Sequence, residues 1–96
     1  MARYIVLAKL TQQGVQKAKE IPQRRAAARE TAQSMGITFR EGLLTMGAYD
    51  VVLVLDAPDD QTIAKFVLRI GMQGNLSTET LRAFSDDEAD SIFADL

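Results

Sequence analysis

The stretch Leu43–Asp56, Leu-Leu-Thr-Met-Gly-Ala-Tyr-Asp-Val-Val-Leu-Val-Leu-Asp, constrains this chain more than any other. Five apolar residues in succession, Val51–Leu55, read as a central strand packed on both of its sides, because only a strand covered twice has no polar alternate positions. The apolar-rich segment before it, Ile37–Thr45, reads as a partner strand. Between them Met46-Gly47-Ala48-Tyr49-Asp50 is turn-like, with a glycine at its centre. Two strands and a reversal follow, and the reversal carries the chain's one aromatic–carboxylate doublet, Tyr49-Asp50.

The flanking sequence supplies the remaining elements. Tyr4–Leu10 is β-branched and aromatic with apolar side chains on both alternating faces, a second strand of the doubly covered kind. Thr11 offers an N-cap hydroxyl for a helix over residues 12–35. That helix should break near Ile21-Pro22, since proline lacks the amide hydrogen and suits a first helical turn. Ala28, Ala32 and Met35 share its packing face, and Gly36 is placed to end it. Gly42 is expected to mark a bulge or close approach in the second strand. Pro58-Asp59-Asp60 opens another helix, whose Ile63, Phe66, Val67 and Ile70 form an apolar stripe. Gly71 through Asn75 ends it. Leu76–Phe84 is a more polar strand, as an edge would be. Ser85 and Glu88 fit a capping box ahead of a short amphipathic helix with Ala89, Ile92, Phe93 and Leu96 on one side.

The order is β-α-β-β-α-β plus a terminal helix. It predicts an α+β, ferredoxin-like domain spanning residues 1–96, with a four-stranded antiparallel sheet and its long helices on one face. Helices on one face leave the other apolar face of two strands uncovered. The expectation is therefore self-association through the open sheet face, as a homodimer or higher oligomer.

Gly47-Ala48-Tyr49-Asp50, the apolar strand after it and Asp56-Ala57-Pro58-Asp59-Asp60 resemble the GYD domain family. Tyr4, Leu10-Thr11-Gln12-Gln13-Gly14, Gly71 through Asn75 and Thr78-Glu79-Thr80-Leu81-Arg82-Ala83-Phe84 extend the likeness over nearly the whole chain. Ser77 departs from it, standing where the pattern favours a basic residue, which weakens an anion-binding role there. The resemblance implies a ferredoxin-like fold of the dimeric α/β barrel type and says little about activity. Proteins of that barrel type include cofactor-free monooxygenases, small isomerases and effector-binding domains, and a shared fold does not transfer function.

Composition narrows the chemistry. With neither cysteine nor histidine, the chain has no thiol nucleophile, zinc ribbon or iron–sulfur ligand set, and it lacks the commonest neutral-pH base. No metal and no cofactor are expected. Net charge is −2, so neither nucleic acid nor an anionic membrane is an expected partner. Residues 1–41 hold eight Lys/Arg against three Asp/Glu, and residues 42–96 hold three against ten; this asymmetry reads either as solvated faces or as docking electrostatics. No apolar leader or membrane-length segment is present, and a cytoplasmic location is expected.

Tyr49, Asp50, Arg82 and Thr78 are the candidate ligand-binding residues, and Tyr49 and Asp50 the candidate catalytic ones. A phenol beside a carboxylate can orient a substrate or relay a proton; equally, Asp at a turn bonds local amides and Tyr packs. Arg82 can hold a ligand carboxylate or an ion pair across subunits, and Thr78 is also an ordinary strand residue. Glu79 falls on the opposite strand face from Arg82. Asp56, Asp59 and Asp60 resemble an oxygen-ligand cluster but fit helix-start carboxylates better. Two functions are open: a homo-oligomeric small-molecule-binding or assembly module, or a cofactor-independent enzyme with a pocket near Tyr49 and Asp50.

Overall fold

A computed structural model describes every residue, Met1–Leu96. Its elements are β1 (Ala2–Leu10), α1 (Gln12–Gln16), a 3₁₀ turn (Ala18–Glu20), α2 (Ile21–Ser34), β2 (Thr38–Leu44), β3 (Val51–Ala57), α3 (Asp60–Gly71), β4 (Leu76–Ala83) and α4 (Asp86–Ala94). The four strands form one sheet in the order β2-β3-β1-β4, and every neighbouring pair is antiparallel. This is the α+β, ferredoxin-like arrangement expected from the element order, with β4 and β2 at the edges.

Strand alternation divides β1 and β3 cleanly. Tyr4, Val6 and Ala8 of β1 and Leu53, Leu55 and Ala57 of β3 are buried under α2 and α3, where Ala32, Ile63, Phe66 and Ile70 complete the core. Opposite them, Ile5 and Leu7 pair in register with Val54 and Val52, and Ile5 also lies beside Leu81 of β4. All five belong to the face that no helix covers, and each keeps partial or full exposure. The helices fit their sequence signals: Ala28 and Met35 of α2 pack beside fully buried Ala32, and the side chain of Asp59 accepts the Thr62 amide at the start of α3.

Three details differ from expectation. The first long helix is interrupted earlier than Pro22: α1 closes at Gln16, and the chain passes through the 3₁₀ turn before Pro22 enters the first turn of α2. The irregularity in β2 sits between Phe39 and Glu41, so Arg40 rather than Gly42 is the extra residue. Gly42 meets the other alternative expected of it, a close approach, since a Cβ there would lie 3.2 Å from the Phe39 ring. Asp56, grouped in sequence with the helix-start carboxylates, is the penultimate residue of β3 and is buried.

The turn from β1 into α1 docks on the loop after α3. Thr11 donates its amide to the Asn75 carbonyl at 3.0 Å and its hydroxyl to the Gly74 carbonyl at 2.6 Å. The Gln13 amide bridges the Gln73 carbonyl and the Asn75 side chain, each at 3.0 Å. Gly14 sits at the contact, where a Cβ would fall 2.2 Å from the Asn75 carbonyl oxygen. Only a residue without a side chain lets the two backbones approach so closely. Gly14→Ala is expected to destabilise the fold by about 2 kcal/mol through overpacking against backbone, read as a lowered urea midpoint with an unchanged slope.

Candidate functional site

The corner between β2 and β3 is built by hydrogen bonds to its own neighbourhood. Gly47 adopts φ 115°, a conformation that disfavours any side chain, and the Thr45 amide donates to the Asp50 carbonyl at 2.8 Å. The Thr45 hydroxyl donates to the Tyr49 carbonyl at 2.6 Å. Asp50 then turns toward the end of β1: its amide donates to the Ala8 carbonyl at 2.8 Å, and its Oδ2 accepts the Leu10 amide at 2.8 Å. The carboxylate thereby extends the β1–β3 ladder by one rung beyond the last paired residues.

Tyr49 and Asp50 point to different tasks. The Tyr49 hydroxyl donates to Glu79 Oε2 on β4 at 2.6 Å, and Lys9 lies over the ring at 5.4 Å from its centroid. That hydrogen bond, with the nearby Glu79 charge, raises the Tyr49 hydroxyl above the ordinary tyrosine pKa. A phenol held in its protonated form donates; it does not act as a base. With Leu7, Ser77 and Thr78 these residues line an open recess of about 210 Å³ on the uncovered face. Thr78 lines that recess from its place on β4, although its side chain, in register with buried Ala8, belongs to the helix-covered face while Tyr49 meets Glu79 on the open one. Arg82 does not line it: Thr78 pairs with Ala8 and Arg82 with Tyr4, four residues along β4 and about 13 Å away at strand rise.

Arg82 is occupied within its own chain. Its guanidinium lies 5.7 Å from the Tyr4 ring centroid and 4.5 Å from that of Phe84, with Glu88 at 3.9 Å. Glu79, on the opposite strand face as alternation requires, pairs with Tyr49 instead. The Tyr4 hydroxyl beneath Arg82 donates to Asp60, which raises it above its ordinary pKa. The three clustered aspartates are therefore dispersed in role. Asp59 caps α3, Asp60 accepts from Tyr4, and Asp56 pairs with arginines. No group of three His, Cys, Asp or Glu side chains is placed to hold a metal ion.

The Asp56 cluster is the feature that the sequence reading missed. Arg3 Nε donates to Asp56 Oδ1 at 3.0 Å, and the exposed Arg40, the extra residue at the irregularity in β2, pairs with the other oxygen. The hydrogen bond from Arg3 and then that from Arg40 hold the buried carboxyl below the usual aspartate range, outweighing its desolvation. These three residues, with Met1, Ser85 and Glu88, line an open cleft of about 440 Å³ at the end of the sheet. The available signal was strand parity: Arg3 shares a face with Ile5 and Leu7, and Asp56 shares one with Val52 and Val54. Two opposite charges on apolar faces of adjoining strands are a cross-strand pair.

The GYD domain profile matches residues 4–93. The chain belongs to the GYD domain family. A protein of Thermus thermophilus described as a glutamine synthetase and cystathionine beta-lyase binding protein is 31% identical over 84 residues, spanning 86% of this chain and 88% of the relative. No solved structure shows a significant match. No helix is long and apolar enough to cross a membrane.

Two outcomes separate the roles of these side chains. Asp50→Ala should cost about 1–3 kcal/mol by leaving the Leu10 amide unpaired, whereas Tyr49→Phe at the exposed recess should cost less than about 1 kcal/mol, both read by urea denaturation. The depressed Asp56 pKa stabilises the fold above the ordinary aspartate value of about 4, and that stabilisation is lost as pH falls through the lower folded-state value. Asp56→Asn should therefore lower the melting temperature at pH 7 and flatten its decline between about pH 5 and pH 2.

Proposed function

We propose that this GYD protein is a cytoplasmic protein-interaction module that self-associates through its open sheet face and docks on a partner enzyme. One observation carries the first part. Ile5, Leu7, Val52, Val54 and Leu81 form a contiguous apolar field on a sheet face without helices, and Leu43, paired with Val52, extends it to the β2 edge. Such a field, rimmed by Lys9, Tyr49 and Glu79 at one end and by Arg3, Asp56 and Arg40 at the other, has the apolar centre and polar border of an interface. The binding role rests on the family and on the Thermus relative, whose description names glutamine synthetase and cystathionine beta-lyase. Those two enzymes are accordingly the first partners to test.

The competing reading is a small-molecule pocket, or a cofactor-independent active site, at Tyr49 with Thr78. The recess there is smaller than the roughly 300–1,000 Å³ typical of ligand sites. Asp50, the carboxylate that the sequence pairs with Tyr49, already accepts a backbone amide at 2.8 Å. These observations favour the interaction module.

Sedimentation velocity tests both parts. The chain alone is expected to run as a dimer or larger at micromolar concentration, and Val54→Arg, placed at the middle of the apolar field, to run as a folded monomer. Mixed with the glutamine synthetase or cystathionine β-lyase of the same organism, the wild-type chain is expected to co-sediment saturably with at least one of them. A folded wild-type monomer removes the self-association, and no co-sedimentation with either enzyme removes the proposed partners.

A further inference from the structure

The sheet register converts the charge asymmetry of the sequence into a spatial one. Leu10, Leu76 and the β2–β3 corner lie at one end of the sheet, and Ala2, Ala57 and Ala83 at the other. The turn into α1 is tied to the loop after α3 at the first end, so Lys9, Lys17, Lys19, Arg24, Arg25 and Arg69 gather there. Only Glu20, Asp50 and Glu79 oppose them. At the second end α4 alone carries Asp86, Asp87, Glu88 and Asp90, with Asp95 just beyond it. Asp56, Asp59 and Asp60 stand nearby, and Arg3, Arg40 and Arg82 oppose these eight carboxylates. The molecule is basic at one end of its strands and acidic at the other.

Helix α4 is also unfinished as a packing element. It buries none of its residues, and Ile92, Phe93 and Leu96 are 46%, 66% and 95% exposed. The body is drawn out to 49 Å in its longest dimension against 31 and 18 Å. The basic end has matching apolar side chains without cover: Val15, Leu44, Met46 and Met72 are all exposed. Each end thus presents an apolar group set in charge of the sign opposite to the other's.

Resting on the self-association proposed above, we propose that α4 is an arm that docks on the basic end of a second copy, so that the two sheets meet with opposite ends together. Two sheets packed face to face with their strands aligned, by a two-fold axis lying between them, have two choices of axis. An axis along the strands sets acidic end against acidic end, where the carboxylates of two α4 helices face each other at a cost. An axis across the strands sets α4 of each copy on Lys9, Lys17 and Lys19 of the other. The contact is isologous, occurs twice, and closes the dimer. The arm and the surface that receives it add buried area to that of the sheet faces on both copies.

Charge reversal at exposed positions tests the arrangement in the full-length chain. One variant carries Asp87→Lys and Asp90→Lys on the arm; the other carries Lys17→Glu and Lys19→Glu at the receiving end. Each alone should weaken the dimer about tenfold at low salt, measured by sedimentation equilibrium, with circular dichroism unchanged. Mixing the two variants should restore wild-type affinity, because in the heterodimer both arms again meet opposite charge. Restoration only when all four substitutions sit in one chain overturns the proposal, since it would mean that the arm folds onto its own body. So does an effect of the arm variant with none of the receiving-end variant, which is the same-end pairing. Loss of the dimer in Val54→Arg with neither charge variant effective removes the arm and leaves the sheet interface standing. A wild-type monomer removes both.

Discussion

Coverage of the sheet on one face only is the constraint from which the rest of this structure follows. A four-stranded sheet with its helices on a single side has room for one core, and that core is filled by Tyr4, Val6, Leu53, Leu55 and Phe66. Yet β1 and β3 are apolar on both sides, and each apolar residue kept in water forgoes about 25 cal/mol for every Å² that burial would remove. A chain of 96 residues has little stability to spare for such exposure. The proposed self-association supplies the second cover that the helices do not, and it explains why the central strand is an unbroken apolar run rather than an alternating one.

The corner that carries the family's namesake residues serves this sheet before it serves any ligand. Asp50 continues the hydrogen-bonding edge of β1 with a side chain where the backbone ladder has run out. Gly47 provides the backbone reversal, and Tyr49 reaches across β1 to Glu79 on β4, joining the start of β3 to the strand beyond its neighbour. A similar economy governs Leu10–Gly14 and Gly71–Asn75. These stretches lie some 60 residues apart, and they meet in one contact where Gly14 leaves space for the Asn75 carbonyl. Residues that mark the family are, in these two places, the ones that fix strand ends and loop docking.

What the sequence disclosed and what it hid divide along a physical line. Local signals were readable: the doubly apolar strand Val51–Leu55, the capping box of Ser85 and Glu88 that both partners form, the apolar stripe of α3, and the opposite parity of Glu79 and Arg82. Each depends on residues within one element. The Asp56 cluster was hidden because it needs three strands in register and, in Arg40, an extra residue that pairs with β3. Pro22 pointed to the helix break but not to its full extent, since a 3₁₀ turn leaves no distinct pattern in three residues. Separation of Thr78 from Arg82 follows from the rise of four residues along β4 and is legible in the strand itself.

The charge asymmetry shows how topology can change the meaning of a sequence feature. Along the chain it divides a basic first part from an acidic second part, which by itself says nothing about direction in space. In the split β-α-β arrangement, α2 begins at the corner end of the sheet and α4 begins at the other, so the division along the chain becomes one along the strands, with Arg3 and Arg40 as exceptions held at the acidic end by Asp56. Burial of the open face is non-directional and would hold two copies together in more than one orientation. Charge at the two ends is directional, and at separations within the Debye length of about 8 Å it distinguishes those orientations. In the proposed dimer, affinity and orientation are therefore carried by different residues: the apolar field of β1, β3 and β4 for the first, and α4 with the lysines of the opposite end for the second.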